Sequence, residues 1–215
     1  MDALLDNLPL LRDGFLTTLR LTLVSAAVAL VLGTLLGACR VSPVPTLRGF
    51  GTVYVELVRN TPLTLVFFFF VFVAPQVDIK LPFETSAYVA LSLYTAAFVC
   101  EAVRSGVNSV GVGQAEAARA IGLTFTQTMS QVVLPQALRS VVPPLINIFI
   151  ALTKNTSVAV GFFVTELMAV GVRLANRYPA DIITMLLGIA VCYLAITIPA
   201  GILAGRLERR VAFAR

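Results

Sequence analysis

The chain has 215 residues, of which 58% are hydrophobic and only 13% are charged, and its formal net charge is +5. Its mean hydropathy of +0.92 lies far outside the range of soluble domains, which must cover their surface with polar groups. The sequence has no histidine and no tryptophan, which excludes histidine-based acid/base chemistry and histidine metal sites. We therefore predict an integral membrane protein without a metal site.

Five charge-free apolar runs approach the length of about 20 residues that a spanning helix needs. A sixth crossing at residues 158–172 would place Glu166 in mid-membrane and move the basic carboxyl end across the bilayer, so a surface helix is favoured there. The sequence thus predicts an all-α integral membrane protein with five transmembrane helices. The five runs are residues 21–39, 60–77, 85–100, 140–153 and 182–205.

The basic residues orient these helices, because lysine and arginine collect on the cytoplasmic side. With the amino end outside, the inner segments hold ten of the sixteen basic residues and only four acids, whereas the outer segments hold six basic residues and seven acids. We therefore predict the amino end outside and the carboxyl end inside. The inner ten are Arg40, Arg48, Arg59, Arg104, Arg119, Arg139, Arg206, Arg209, Arg210 and Arg215.

Small residues recur one helical turn apart in the first and last crossings, as Gly33 and Gly37 and as Gly201 and Gly205. This spacing favours close packing between membrane helices.

The chain has only two lysines, Lys80 and Lys154, and neither follows a glycine. It therefore lacks a phosphate-binding loop and is not expected to hydrolyse ATP by itself.

A polar insert, GQAEAARAIGLTFTQTMSQVVLPQAL at residues 113–138, separates two apolar runs, and the charge pattern places it in the cytoplasm. Ala117, Ile121 and Phe125 recur at helical spacing, and Gly122 is expected to stop or bend this helix. Thr124 begins a capping box that predicts a second short helix running towards Pro135. The alanine-rich face of the insert is too small to anchor in lipid and suits docking into a groove on a partner protein.

Glu116-Ala117-Ala118, followed after three residues by Gly122 and after nine more by Val132-Val133-Leu134-Pro135, closely resembles the EAA signature of ABC-importer permeases. Residues 17–25, 40–43, 56–63 and 152–157 look like the polar amino acid permease subfamily. The pieces VRNTPLTLV, GQAEAAR and IALTKNT, at residues 58–66, 113–119 and 150–156, look most like the glutamate-uptake permeases of actinobacteria. The resemblance implies a type I ABC importer permease, with residues 1–215 as a single transmembrane permease domain that includes a cytoplasmic coupling loop at 104–136.

The resemblance also assigns residues to two sites. The coupling loop would dock on the ATP-hydrolysing subunit through Glu116, Ala117, Ala118, Arg119, Gly122, Leu134 and Pro135. The segment Arg59-Asn60-Thr61-Pro62 is expected from its residue types to start the second helix, with Asn60 or Thr61 as the cap, and the resemblance adds a place at the inner gate.

A polar cluster after the fourth run is a candidate translocation path. A helix rising ~1.5 Å per residue places it between the middle and the outer part of the bilayer, where polar groups must face protein or a water-filled cavity. Lys154 could complement a substrate carboxylate, or it could snorkel to the headgroups. Glu166 could pair with Lys154 or Arg173, or line an outer gate. The cluster consists of Asn147, Thr153, Lys154, Asn155, Thr156 and Ser157.

We therefore expect a non-catalytic permease subunit of an ATP-driven importer in the bacterial cell membrane, with glutamate as the favoured substrate. The resemblance implies two copies of an ATP-binding subunit, a second homologous permease or a second copy of this chain, and an extracytoplasmic amino acid-binding protein. ATP and Mg would be used by the partner subunit, and no cofactor or nucleic acid is expected on this chain. Glutamine, a basic amino acid or cystine are alternative substrates, and a secondary transporter or a membrane scaffold are alternative classes.

Overall fold

The computed structural model describes residues 2–212 and the side chains of residues 4–209, so Arg215 and the side chain of Arg210 lie outside the described residues. These residues contain no strand, and the predicted all-α class is confirmed. Two π-helical segments, Phe69–Val73 and Thr128–Val133, and three 3₁₀ segments, Ala74–Val77, Thr156–Phe162 and Pro179–Asp181, extend or join the α-helices. The α-helices are α1 (Asp2–Leu5), α2 (Leu8–Val41), α3 (Pro45–Arg59), α4 (Leu63–Phe68), α5 (Phe83–Asn108), α6 (Val112–Ala120), α7 (Phe125–Gln127), α8 (Leu134–Asn155), α9 (Leu167–Arg177) and α10 (Ile182–Ala212).

Four helical stretches are long and apolar enough to cross a membrane: Leu8–Val41, Phe83–Asn108, Phe125–Phe162 and Pro179–Arg209. A fifth span is broken, because Pro45–Arg59 and Leu63–Val77 meet at 101° and qualify only as a pair. These four to five spans agree with the predicted five. In the described part of the chain residues 158–172 do not form a further span.

The spans are longer than the charge-free runs that predicted them. α2 begins at Leu8 rather than at residue 21, and α5 continues from residue 100 to Asn108 through two charged positions. The helix that holds the fourth crossing runs without a break from Phe125 to Phe162. Charged residues therefore lie inside these helices, where they require partners or an aqueous surface.

The helix α5 lies at the centre of the bundle and packs on α2, α3, α4 and α8. The contact with α2 is close, because a Cβ built on Gly33 would lie 2.5 Å from the Cβ of Val99, and one on Gly37 would lie 2.8 Å from Cγ1 of Val103. Lipid is as apolar as leucine, so such close packing, rather than hydrophobic burial, holds membrane helices together. The predicted role of this glycine pair is confirmed.

The second glycine pair behaves differently. A Cβ on Gly201 or Gly205 would meet no atom of the described chain within 4 Å. Within this chain these residues therefore bring no helix close to α10.

Both π-helical segments lie just before a proline. Phe69–Val73 precedes Pro75, and Thr128–Val133 precedes Pro135. A proline inside a helix lacks the amide hydrogen and its ring clashes with the carbonyl four residues earlier. The wider π turn moves that carbonyl aside, so the helix passes the proline without ending.

Candidate functional site

One face of α8 is open and carries most of its polar groups. Pro144, Asn147, Ala151 and Lys154 are exposed, and Asn155 beside them is half-buried. Their spacing of three or four residues places them along one side of the helix. Three of the six residues in the predicted polar cluster thus share this face, and Lys154 is its cation.

The remaining residues of that cluster bond to their own backbone. Buried Thr153 donates to the carbonyl of Phe149 at 2.9 Å, and buried Thr156 donates to the carbonyl of Thr153 at 2.7 Å. Ser157 donates to the carbonyl of Lys154 at 2.7 Å. These hydroxyls satisfy carbonyls where α8 tightens into the 3₁₀ segment, so the structure separates them from the open face.

Two cavities lie between α5 and α8. The smaller, about 240 Å³, is bounded by Tyr94 and Asn155 among others. The larger, about 420 Å³, is bounded by Arg59, and Phe98 and Ile148 contribute to the walls of both cavities. The cavities therefore follow one another along a single groove between the two helices.

A cluster of charges lies at the Arg59 end of this groove. The Glu101 carboxylate on α5 accepts hydrogen bonds from Arg40 on α2 and from Arg104 on its own helix. Nη1 of Arg59, at the end of α3, lies 3.8 Å from the same carboxylate, and its guanidinium stands over the ring of Phe98 at 5.4 Å. One acid thus ties together three helices and faces three cations.

The prediction that Asn60 or Thr61 caps the second helix is wrong. Asn60 Nδ2 donates back to the carbonyl of Glu56 at 2.8 Å, and Thr61 Oγ1 donates back to the carbonyl of Leu57 at 2.7 Å. The N-cap position is taken by Pro62, and no side chain caps α4. The carbonyls at the end of α3 have no helical partner past the 101° bend, and these side chains satisfy them instead.

The polar insert contains the first predicted short helix as α6, whereas the second helix begins at the predicted Thr124 cap but continues without a break to Phe162 instead of ending near Pro135. α6 ends where Gly122 adopts φ +90°, and the amide of Leu123 bonds back to the carbonyl of Ala118 at 3.1 Å. The capping box is present, because Gln127 N donates to Thr124 Oγ1 at 3.3 Å and Thr124 N donates to Gln127 Oε1 at 2.9 Å. Gly122 is needed here for its left-handed backbone, which a side chain would strain.

The exposed surface of this insert carries apolar side chains beside charged ones. Ile121 is 80% exposed and Phe125 is 64% exposed, while Arg119 stands 6.0 Å from the Phe125 ring centre. Of the predicted coupling residues, Glu116, Ala117, Arg119, Gly122 and Leu134 are exposed, Pro135 is half-buried and Ala118 is buried. Exposed isoleucine and phenylalanine on a polar loop indicate an interaction surface rather than a solvated one.

Glu166 takes other partners than the expected Lys154 and Arg173. Its carboxylate is fully buried and accepts hydrogen bonds at 2.8 Å from the amides of Met168 and Ala169 and from the hydroxyl of Tyr193. It thereby caps α9 and links it to α10. Burial raises the pKa of this carboxyl, and these hydrogen bonds act in the opposite direction. Glu166 does not border the two cavities of the groove.

A further cavity of about 570 Å³ lies between the start of α2 and α10. Its walls are mainly aliphatic and aromatic, with Leu8, Phe15 and Val191 among them, and Arg12 at its edge is paired with Asp13 at 3.1 Å. It offers little to orient a polar ligand, so the groove between α5 and α8 is the better candidate site.

Residues 29–213 match the family described as binding-protein-dependent transport system inner membrane component. The chain belongs to this family. It is 38% identical to the probable glutamine ABC transporter permease protein GlnM of Bacillus subtilis, over 98% of this chain and 97% of that protein. It is 39% identical to the glutamate transport system permease protein GluC of Corynebacterium glutamicum, over 95% of each. A crystal structure of an amino acid ABC transporter with histidines superposes with a TM-score of 0.89 at 26% identity, covering 96% of both chains.

The chain is thus a permease subunit of an amino acid ABC importer in the bacterial inner membrane, and it is non-catalytic, with ATP hydrolysed by a separate subunit. Sequence reasoning missed Phe98 and Glu101, which border the groove of this permease, and Arg40, which donates to Glu101. A signal for Glu101 was available, because an acid within an apolar helix needs a basic partner. Its partner on α2 lies 61 residues away, and that pairing has no local signature.

Proposed function

We propose that this permease imports glutamate, and that the groove between α5 and α8 is the path. The observation that carries the proposal is the placement of two cations: Arg59 borders the larger cavity at one end of the groove, and Lys154 is exposed on α8 next to Asn155, which borders the smaller cavity at the other end. An anionic amino acid would meet a complementary charge at entry and again at exit, whereas a basic amino acid would meet two like charges. Relatives named for glutamate and for glutamine, at 39% and 38% identity, support a substrate of this size and make glutamine the second candidate.

The path requires polar groups beyond the two cations. Asn155, which borders the smaller cavity, can bond to the ammonium and carboxylate groups that every amino acid carries, and Asn147 adds a second amide on the open face of α8. Since this face is exposed on the chain, a second permease subunit or a second copy of this one would close the groove. Thr153, Thr156, Ser157 and Glu166 then support the path by fixing the backbone around it.

The polar insert would carry the motor's movement into the membrane. The helix that begins at Phe125 continues without a break to Phe162, so a displacement of the exposed loop is transmitted to Lys154, about 45 Å away at ~1.5 Å per residue. In this proposal the loop at 104–136 is cytoplasmic and docks through the Glu116-Ala117-Ala118 segment and its neighbours.

The assembly proposed for import has two copies of the ATP-binding subunit and an extracytoplasmic binding protein. Mg-ATP binding closes the two motor subunits, the docked loops move together, and the groove opens alternately to each side. The amino end lies outside and the carboxyl end inside, as the basic residues favour. The segment Arg59-Asn60-Thr61-Pro62 stands at the inner gate, with Arg59 as the residue that reaches the groove.

Uptake in vesicles tests the proposal. The permease, its partner permease, the ATP-binding subunit and the binding protein are reconstituted, and ATP-dependent entry of radiolabelled glutamate is measured with unlabelled glutamine, aspartate, arginine and cystine as competitors. Uptake blocked mainly by unlabelled glutamate is expected. ATP-dependent uptake blocked mainly by another amino acid would reject glutamate as the substrate.

A further inference from the structure

The charge cluster at the inner end of the groove is not neutral. Arg40, Arg59 and Arg104 face one carboxylate, that of Glu101. Glu56, on the same helix as Arg59, is exposed and its carboxylate accepts from Asn60 Nδ2 at 3.3 Å. Three arginines thus face one carboxylate, and the cluster keeps a surplus of positive charge that can attract an anion.

The three arginines differ in how firmly they are held. The Arg40 side chain is only 10% exposed and donates directly to Glu101, as does Arg104 at 36% exposure. Arg59 is the most exposed at 42%, and in the described part of the chain its only contacts with charged groups or rings are the carboxylate at 3.8 Å and the face of Phe98. Its fork of five N–H donors is thus available to a second acceptor.

The space beside Arg59 has the size and chemistry of a small-molecule site. The cavity measures about 420 Å³ and is bounded by Ser105 on α5, by Ser109 just past the end of α5, and by Ser140 on α8. Pockets of a few hundred Å³ with a few polar groups are typical for small ligands. Because Phe98 and Ile148 also border the next cavity, a ligand reaches this space from the groove.

We infer that this cavity binds a carboxylate anion, namely the side-chain carboxylate of an acidic amino acid leaving the path, an inference that rests on the proposed function. Arg59 binds the carboxylate through two parallel N–H donors, and Arg40 and Arg104 hold Glu101 so that it does not neutralise Arg59. The site distinguishes glutamate from glutamine, because the amide carries no charge to match the surplus.

Binding to the complex without its binding protein tests this inference. The permease pair with its ATP-binding subunits is placed in phosphatidylcholine nanodiscs, and Kd is measured for L-glutamate, glutarate and L-glutamine. In Arg59→Gln we expect the Kd for glutamate and glutarate to rise at least about tenfold, equivalent to about 1.4 kcal/mol, with the Kd for glutamine nearly unchanged. Arg48→Gln, an exposed arginine on the same helix outside the cavity, is the matched control and should change neither.

A second variant covers the case in which Arg59→Gln does not assemble. Ser140→Glu places an acid on the opposite wall and should abolish glutamate binding while glutamine still binds. Equal losses for glutamate and glutamine, unchanged Kd values in both variants, or no glutamate binding to the wild-type complex would each overturn the inference.

A lipid phosphate is the other source of a bound anion, and a second arm distinguishes it. If nanodiscs with added phosphatidylglycerol prevent glutamate binding in the wild type, the lipid headgroup is the occupant and the inference is overturned. The uptake assay keeps the two proposals apart: vesicles that take up no glutamate with ATP refute the proposed function, whereas normal uptake with binding independent of Arg59 refutes this site alone.

Discussion

Replacing Glu166 with alanine should destabilise the permease, because this buried carboxylate joins three helices. It accepts from the amides of Met168 and Ala169 and the hydroxyl of Tyr193, all at 2.8 Å, and from Thr18 at 3.5 Å. Loss of a helix cap costs about 1 kcal/mol. A buried hydroxyl left without its acceptor costs a further ~1–3 kcal/mol. We expect a loss of ~2–4 kcal/mol, or a Tm lower by roughly 4–16 °C for a chain of this length.

Thermal unfolding of the purified permease in detergent measures this effect. Glu166→Gln keeps an acceptor oxygen and the side-chain shape, so it should fall between the wild type and Glu166→Ala. Glu116→Ala removes an exposed carboxylate and should change the free energy of unfolding by less than about 0.5 kcal/mol. A Glu166→Ala variant as stable as Glu116→Ala would refute the role of Glu166 in joining the helices.

The pH dependence of the same unfolding gives a second readout. Burial raises the pKa of Glu166 above its usual value of 4.5, so the folded protein holds this proton to a higher pH than the unfolded chain. The stability from this group is present below pH 4.5 and is lost as pH rises through the raised pKa. Between pH 4.5 and the raised pKa, the wild type should therefore lose stability relative to Glu166→Gln. A difference in the free energy of unfolding that does not change with pH would contradict the raised pKa.

Three further changes test other parts of the structure. Gly33→Val should lower the Tm, since overpacking of a close contact typically costs about 1–3 kcal/mol. Gly201→Val, in the second glycine pair, should leave the Tm of the isolated subunit unchanged. Equal Tm values for the two would contradict the assigned α2–α5 contact. Ile121→Asp should weaken co-purification with the ATP-binding subunit without affecting folding, because it places a charge on an 80% exposed residue of the loop proposed to dock, and normal co-purification would exclude Ile121 from the interface. Lys154→Ala should lower glutamate uptake with assembly intact, and normal uptake would show that Lys154 only snorkels.

Gly122 is less suitable than Ile121 for the docking test, because its backbone conformation does not tolerate a side chain. Gly122 has φ +90° and open space around it, so any side chain there strains the loop before it touches a partner. A defect in Gly122→Asp alone would not separate loop distortion from lost docking. Gly122→Ala, which adds the strain without the charge, supplies the control.

The sequence predicted which segments cross the membrane but not where the helices end. Charge-free runs stop at the first charged residue, and α5 continues past Glu101 because Arg40 and Arg104 neutralise it. The fourth run likewise stops at Arg139 and Lys154, whereas the helix continues past both, and a π turn accommodates Pro135 near its start. Both outcomes depend on geometry that a local pattern does not contain.

The loop was predictable and much of the groove was not. Thr124 and Gln127 form the capping box that their spacing indicates, because both partners are local in sequence. In contrast, Thr153 and Thr156 have the same polarity as Asn155 but bond to their own helix. Whether a polar residue faces a cavity or its own backbone depends on which helix packs beside it.

Access to the open face of α8 tests most directly whether this groove is an ATP-driven path. In a variant without Cys39, Cys100 and Cys192, Ala151→Cys is probed in the reconstituted importer with a membrane-impermeant maleimide, and exposed Asp78→Cys, in the outer connection after the second crossing, serves as the control. We predict that Ala151→Cys is labelled from the carboxyl-terminal side without nucleotide, and protected by Mg-ATP, while labelling of Asp78→Cys from the other side stays constant. Labelling of Ala151→Cys that is the same with and without Mg-ATP would contradict alternating access through this groove.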